Sequence, residues 1–93
     1  MKIKLSGKFR FNLEKQIRYI AKDKPLAARK FKNDLFLEIR KISSNPYSFR
    51  KSIYFDNEEV RDLTFKGYCI TFRINSTLHL IEVFGFTKYT LFK

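Results

Sequence analysis

Residues 61–74, RDLTFKGYCITFRI, set Cys69, Thr71 and Arg73 at alternate positions. In a strand, alternation puts them on one side and Tyr68, Ile70, Phe72 and Ile74 on the other. A thiol attacks only as a thiolate, beside a base or a cation. No His stands near Cys69 in the sequence, so it reads as a small packed side chain. Arg73 is then the cation of that polar side. His79 is the only histidine. Alone in a strand and without a metal partner, it reads as a surface or packing residue. One cysteine forms no internal disulfide, and no CxxC or Cys/His spacing suits zinc. Neither a metal nor a cofactor is expected.

Other groups are set up for binding. Arg50-Lys51 reads as a basic pair in a loop that follows Pro46. Lys22, Lys24, Arg29, Lys30 and Lys32 read equally as a nucleic-acid patch or as a solvated helical face. Phe84, Phe86, Tyr89 and Phe92 suit base stacking, core packing or a protein interface. Net charge is +11. Residues 1–55 hold 15 Lys and Arg against 4 Asp and Glu, whereas residues 56–93 hold 5 of each. The excess in the first part draws a polyanion, whether nucleic acid, an acidic surface or an acidic protein segment.

These side chains must be positioned by a small fold. Ninety-three residues suit one domain, 1–93. The start, MKIKLSGK, lacks the apolar stretch of a signal peptide, and no apolar run reaches the ~18 residues a membrane span needs. The chain reads as a complete cytoplasmic protein, with no membrane partner. Lys2 to Leu5 alternate as a short edge strand. Phe9, Leu13, Ile17 and Ile20 make the stripe of an amphipathic helix. Asp23 suits the cap of a second helix and Pro25 its first turn. Ala28, Phe31, Leu35, Ile39 and Ile42 form the second stripe, which Ser43–Pro46 ends. The short link implies an antiparallel helical hairpin.

Residues 43–60 read as irregular, but a structureless segment that long is unusual, so part of it is expected to pair or pack. Residues 61–65 and 68–74 form a hairpin about Lys66-Gly67. Asn75–Thr77 turns the chain. Leu78–Phe84 reads as a central strand buried on both sides, closed by Gly85, with an aromatic tail after it. The layout is β-α-α-β-β-β, an α+β fold with a helical hairpin on one face of a small, mostly antiparallel sheet.

In order, these pieces are a helix end YIAKDKPLAARKF, an NP after the second helix, RDL, GYCITFRI and IEVFGF. Together, on a basic chain of this length, they resemble the RelE/ParE superfamily of bacterial type II toxin–antitoxin toxins, from Phe9 to about Phe86. The resemblance implies a growth-inhibiting toxin neutralised by a cognate acidic antitoxin. RelE-like members cleave mRNA in the ribosome; ParE-like members lack that site and poison DNA gyrase.

The two branches place different demands on the residues. Cleavage by 2′-hydroxyl attack needs a base, a phosphate clamp and a general acid. RelE-like ribonucleases often carry an Arg directly after the residue that opens the third strand. Here that slot follows Tyr68 and holds Cys69, which has no fixed positive charge. The ribonuclease alternative falls on Arg50, Lys51, Arg73, Lys88 and Tyr89, with Lys88 as clamp and Tyr89 as acid. RDL and the strand Y.ITFRI resemble the ParE side, where Arg61 and Arg73 fit common positions. A His-Gly-Arg-like segment frequent in that branch reads Phe84-Gly85-Phe86 here. The reading therefore leans to a ParE-like toxin that is not a nuclease. Arg61, Arg73, Phe84, Phe86, Tyr89 and Phe92 are its expected target or antitoxin contacts. A basic nucleic-acid-binding module without toxicity is the second alternative.

Overall fold

In the computed structural model, which describes residues 1–88, each apolar stripe packs against the core, with Ile17 and Ile20 of the first only partly buried. Helix α1 (Gly7–Ala21) starts where the Ser6 hydroxyl accepts from the Phe9 N–H at 3.1 Å. Helix α2 (Pro25–Ile42) buries Ala28, Phe31, Leu35, Ile39 and Ile42, the stripe read from the sequence. Asp23 does not cap α2. Lys24 holds the cap position with no side-chain bond, and Pro25 at the first turn sets the entry instead.

The strands are β1 (Lys2–Leu5), β2 (Arg50–Lys51), β3 (Val60–Phe65), β4 (Tyr68–Asn75) and β5 (Leu80–Lys88). They form a sheet in the order β1-β5-β4-β3-β2. β1 is the expected edge strand and runs parallel to β5, while every other pair is antiparallel. The helices cover one face. Phe9, Leu13, Phe31, Leu35 and Ile39 meet Leu63, Ile70, Phe72, Ile74, Ile81 and Val83 there in one core. The β3–β4 turn is the two-residue loop expected, with φ 46° at Lys66 and 84° at Gly67. Both values are positive, as a type I′ turn requires. Lys66 pins the turn to α2 through Asp34, 3.7 Å away.

Further sequence expectations change. Arg50-Lys51 is not loop but β2, paired with Asp62 and Arg61. It lies within the segment expected to pair. His79 lies in a turn at φ 50°, and Leu78 is exposed, so the last strand starts two residues later than read. That strand runs through Gly85 to Lys88 and is not buried on both sides; its buried residues are Ile81 and Val83.

Candidate functional site

The face of the sheet away from the helices is not simply wet. Register brings Asp62, Thr71 and Gly85 into one cross-strand row, with Arg50 beyond Asp62. Asp62 and Thr71 are 3% and 5% exposed. The Thr71 hydroxyl donates to Asp62 Oδ1 at 3.0 Å, and the Ile53 N–H donates to Oδ2 at 3.1 Å. Asp62 thus ties the segment after β2 across this face as a strap. Phe55 closes its far end against Phe84, ring centroids 5.6 Å apart. A buried carboxylate with both oxygens bonded is the arrangement such a group needs.

Cys69 is 1% exposed and lies 4.0 Å from the Thr71 hydroxyl. Burial, with the nearby Asp62 carboxylate adding to it, pushes the thiol up to about 11. At neutral pH it is protonated and shielded, so it serves as packing, as the sequence suggested.

β5 carries a bulge. Thr71 pairs with Gly85 and Phe72 with Val83, so Phe84 is an extra residue. Gly85 allows the approach, because a Cβ there would stand 2.9 Å from Thr71 Cβ. The extra residue resets the alternation. Phe86 turns to the helices, stacked on Tyr68 at 5.0 Å and edge-on to Phe9 at 6.0 Å. Phe84 packs under the strap. Burial, and then the neighbouring Tyr19, raise the Tyr68 phenol above its ordinary pKa.

The expected site residues divide between the two faces. Arg50 and Arg73 share the outer face, Arg73 in a cross-strand row with Glu82 and Lys4. Lys51 lies on the other side, beside Arg61, and bonds Asp56 at 3.1 Å and Glu58 at 3.6 Å. Those carboxylates, Asp56 first, raise its pKa. Arg61 is engaged inside the fold. It donates to the carbonyls of Glu58 at 2.8 Å and Phe49 at 2.9 Å and lies over the Tyr47 ring. Lys88 pairs with Tyr68 and lines a groove beside α1 with Asn12, Lys15 and Gln16. Along β4, Tyr68 and Arg73 are ~16 Å apart. Arg73 and Lys88 therefore belong to different ends and different faces. Tyr89 and Phe92 lie outside the described residues.

Sequence reasoning missed Asp62 as the strap's anchor, and it missed the wall that α1 contributes through Lys8 and Asn12. β3 also carries Arg61 and Thr64, so no local signal set Asp62 apart. Among the described residues, no group of three or more His, Cys, Asp or Glu is placed to hold a metal ion. No helix of the described residues is long and apolar enough to cross a membrane.

Comparison with known proteins agrees with this architecture. The family described as "ParE toxin of type II toxin-antitoxin system, parDE" matches residues 3–86. A solved structure titled "Chromosomal ParDE TA system from P. aeruginosa" superposes with a TM-score of 0.79 over 97% of each chain, at 16% identity. That likeness concerns the fold. No curated protein sequence matches. With the family matched from the first strand to Phe86, this chain belongs to the ParE toxins of type II toxin–antitoxin systems.

Proposed function

We propose that this chain arrests growth without cutting RNA, that its target is DNA gyrase in the cytoplasm, and that an acidic antitoxin neutralises it. One observation carries the non-nuclease reading: the cations on which the ribonuclease reading calls are dispersed. Arg50 and Arg73 sit on the outer face and Lys88 beside α1, and the position beside Tyr68 is a buried, protonated thiol. A phosphoryl-transfer site needs a clamp, a base and an acid converging on one phosphorus. Membership of the ParE toxins supports the toxin role.

The test is inducible expression in a bacterium, with growth, mRNA 5′ ends and gyrase–DNA cleavage complexes followed over the first minutes. The expected result is arrest with intact mRNA and accumulating cleavage complexes. New cuts in translated mRNA would replace this reading with the ribosome-dependent endonuclease. Absence of arrest would leave a binding module without toxicity.

A further inference from the structure

The solvent side of α1 takes no part in the core. Phe9 and Leu13 are buried and Ile17 and Ile20 partly so, which fixes the side turned inward. Phe11, Lys15, Arg18 and Lys22 follow at intervals of four, three and four, so they share the opposite side. Lys22 caps the helix but is itself helical, at φ −56° and ψ −35°, and keeps to the stripe. Lys8 and Tyr19 flank it. All six are exposed, Phe11 at 61% and Tyr19 at 70%. From Lys8 to Lys22 the stripe runs ~21 Å along the helix. Lys15, Arg18, Tyr19 and Lys22 also line one shallow hollow of about 380 Å³.

Two features set this side apart from an ordinary wet helix face. Its charge is one-sided and barely neutralised. Four cations stand near one carboxylate, Glu14, which reaches Arg18 only at 3.9 Å with both side chains largely in water. Among the described residues, Lys8, Lys15 and Lys22 have no ion pair. On α2, by contrast, Lys30 and Lys41 each hold a carboxylate at 3.0 Å. The second feature is open rings. Among the described residues, Phe11 and Tyr19 stack on no other ring, whereas Phe84 and Phe86 are engaged. Spaced cations draw a polyanion, and open rings between them accept flat π faces. A single strand of nucleic acid brings both phosphates and unpaired bases. A duplex keeps its base faces covered and leaves the rings idle. A bilayer surface needs a wide apolar stripe, and here two rings stand among four cations. An acidic peptide satisfies the cations but gives the ring faces no regular partner.

We infer that the solvent side of α1 binds single-stranded DNA, with phosphates on Lys8, Lys15, Arg18 and Lys22 and bases stacked on Phe11 and Tyr19. No carboxylate on this side is free to read a 2′-hydroxyl, because Glu14 is turned to Arg18. The inference concerns the free chain and stands apart from the toxin's target and its neutralisation.

The test is fluorescence anisotropy of labelled dT20 with the purified chain, between 50 and 200 mM salt. Four phosphate contacts give log Kd a slope of about 3 against log salt, roughly a fiftyfold loss over that range. Lys15→Gln with Arg18→Gln should about halve the slope and weaken binding at least about tenfold at the lower salt. Phe11→Ala and Tyr19→Ala keep every charge; each should weaken binding at least about fivefold and leave the slope unchanged. Arg29→Gln with Arg40→Gln, exposed on α2, removes the same charge elsewhere and should change Kd less than about threefold. Thermal melts show that each variant folds. An equal loss for the α2 pair means diffuse attraction to the net charge and overturns the site. Ring variants without effect overturn the stacking and, with it, the single strand. Tighter binding of duplex dA20·dT20, or of rU20, overturns the assignment too. If phosphatidylserine vesicles or polyglutamate bind through these residues while dT20 stays free, the face belongs to a membrane or a protein and the inference fails.

Discussion

Gly85→Ala is the most direct test of how the sheet is built. At ordinary φ, Gly to Ala stabilises a protein by about 0.4–1 kcal/mol, because the unfolded chain loses freedom. Gly85 has no positive φ, so that gain applies in full. Against it stands a contact. The new Cβ would lie 2.9 Å from Thr71 Cβ and 3.2 Å from Thr71 Oγ1, where opposed strand residues ordinarily keep ~4.5–5.5 Å between Cβ atoms. Rotation of Thr71 gives no relief, since its Cβ moves only with the backbone, and its hydroxyl is tied to Asp62 at 3.0 Å. β4 and β5 must separate locally, and overpacking of this kind costs about 1–3 kcal/mol. The clash wins over nearly all of this range, leaving a net loss of about 0–2.6 kcal/mol and a Tm lower by up to roughly 20 °C in a domain of this size. The assay is a double-mutant cycle by urea and thermal unfolding, with Thr71→Gly as the second change. Thr71→Gly removes the opposing Cβ. In that background Gly85→Ala should be neutral or stabilising. If it costs as much there as in the parent chain, the Thr71 contact is not the reason for glycine and the reasoning fails.

Three further outcomes follow from the same geometry. Asp62→Ala strands the Thr71 hydroxyl and the Ile53 N–H, so it should cost roughly 2–5 kcal/mol in urea unfolding and speed proteolysis within residues 52–56. Arg61→Lys keeps the charge but loses the fork that reaches Glu58 and Phe49 together, and unfolding should register a loss of about 1–3 kcal/mol. Cys69 should resist a thiol reagent at pH 8 in the native state and react fully in guanidinium. Its folded pKa is raised to about 11, so the unfolded chain ionises first as pH rises. Stability should therefore fall from about pH 9 upward until the folded thiol also ionises, by up to ~2–3 kcal/mol, and Cys69→Ala should remove that component from pH-dependent melts.

The helices were legible in the sequence because one physical rule governs them. Apolar residues at intervals of three and four must face the core, and the stripe from Ala28 to Ile42 is buried in the order read. The hairpin at Lys66-Gly67 was legible for a similar reason, since glycine at a two-residue link supplies the φ that the turn demands. The strap was less so. Its bonds run from a backbone N–H at Ile53 to a carboxylate nine residues on, and nothing in the local pattern marks such a pairing. Asp62 stands between Arg61 and Leu63 and shares its face with Thr64, just as a solvent-facing residue would. Only the row Asp62–Thr71–Gly85, assembled by three strands, shows that it is enclosed. The Asp23 cap failed because a good capping residue one position early loses to Pro25, whose fixed φ sets the helix start.

The candidate site was hidden by one extra residue. Strict alternation sets Phe84 and Phe86 on a common face, as one aromatic patch. The bulge separates them, sending Phe86 to Phe9 and Tyr68 and leaving Phe84 under Phe55. The sequence did carry a trace of this in Phe84-Gly85-Phe86, because an isolated glycine within a strand marks a bulge or a close backbone approach. The second cause is a mismatch of length. β1 has 4 residues and β5 has 9, so the parallel pair covers only the first part of β5. Ser6 ends that pairing by donating its backbone N–H to Val83 at 2.9 Å and by capping α1 with its side chain. One residue thus stops a strand, starts a helix and, among the described residues, leaves the edge beside it without a strand. Extending β1 past Ser6 would cover that edge with the chain's own backbone; the cap at Ser6 turns the chain into α1 instead.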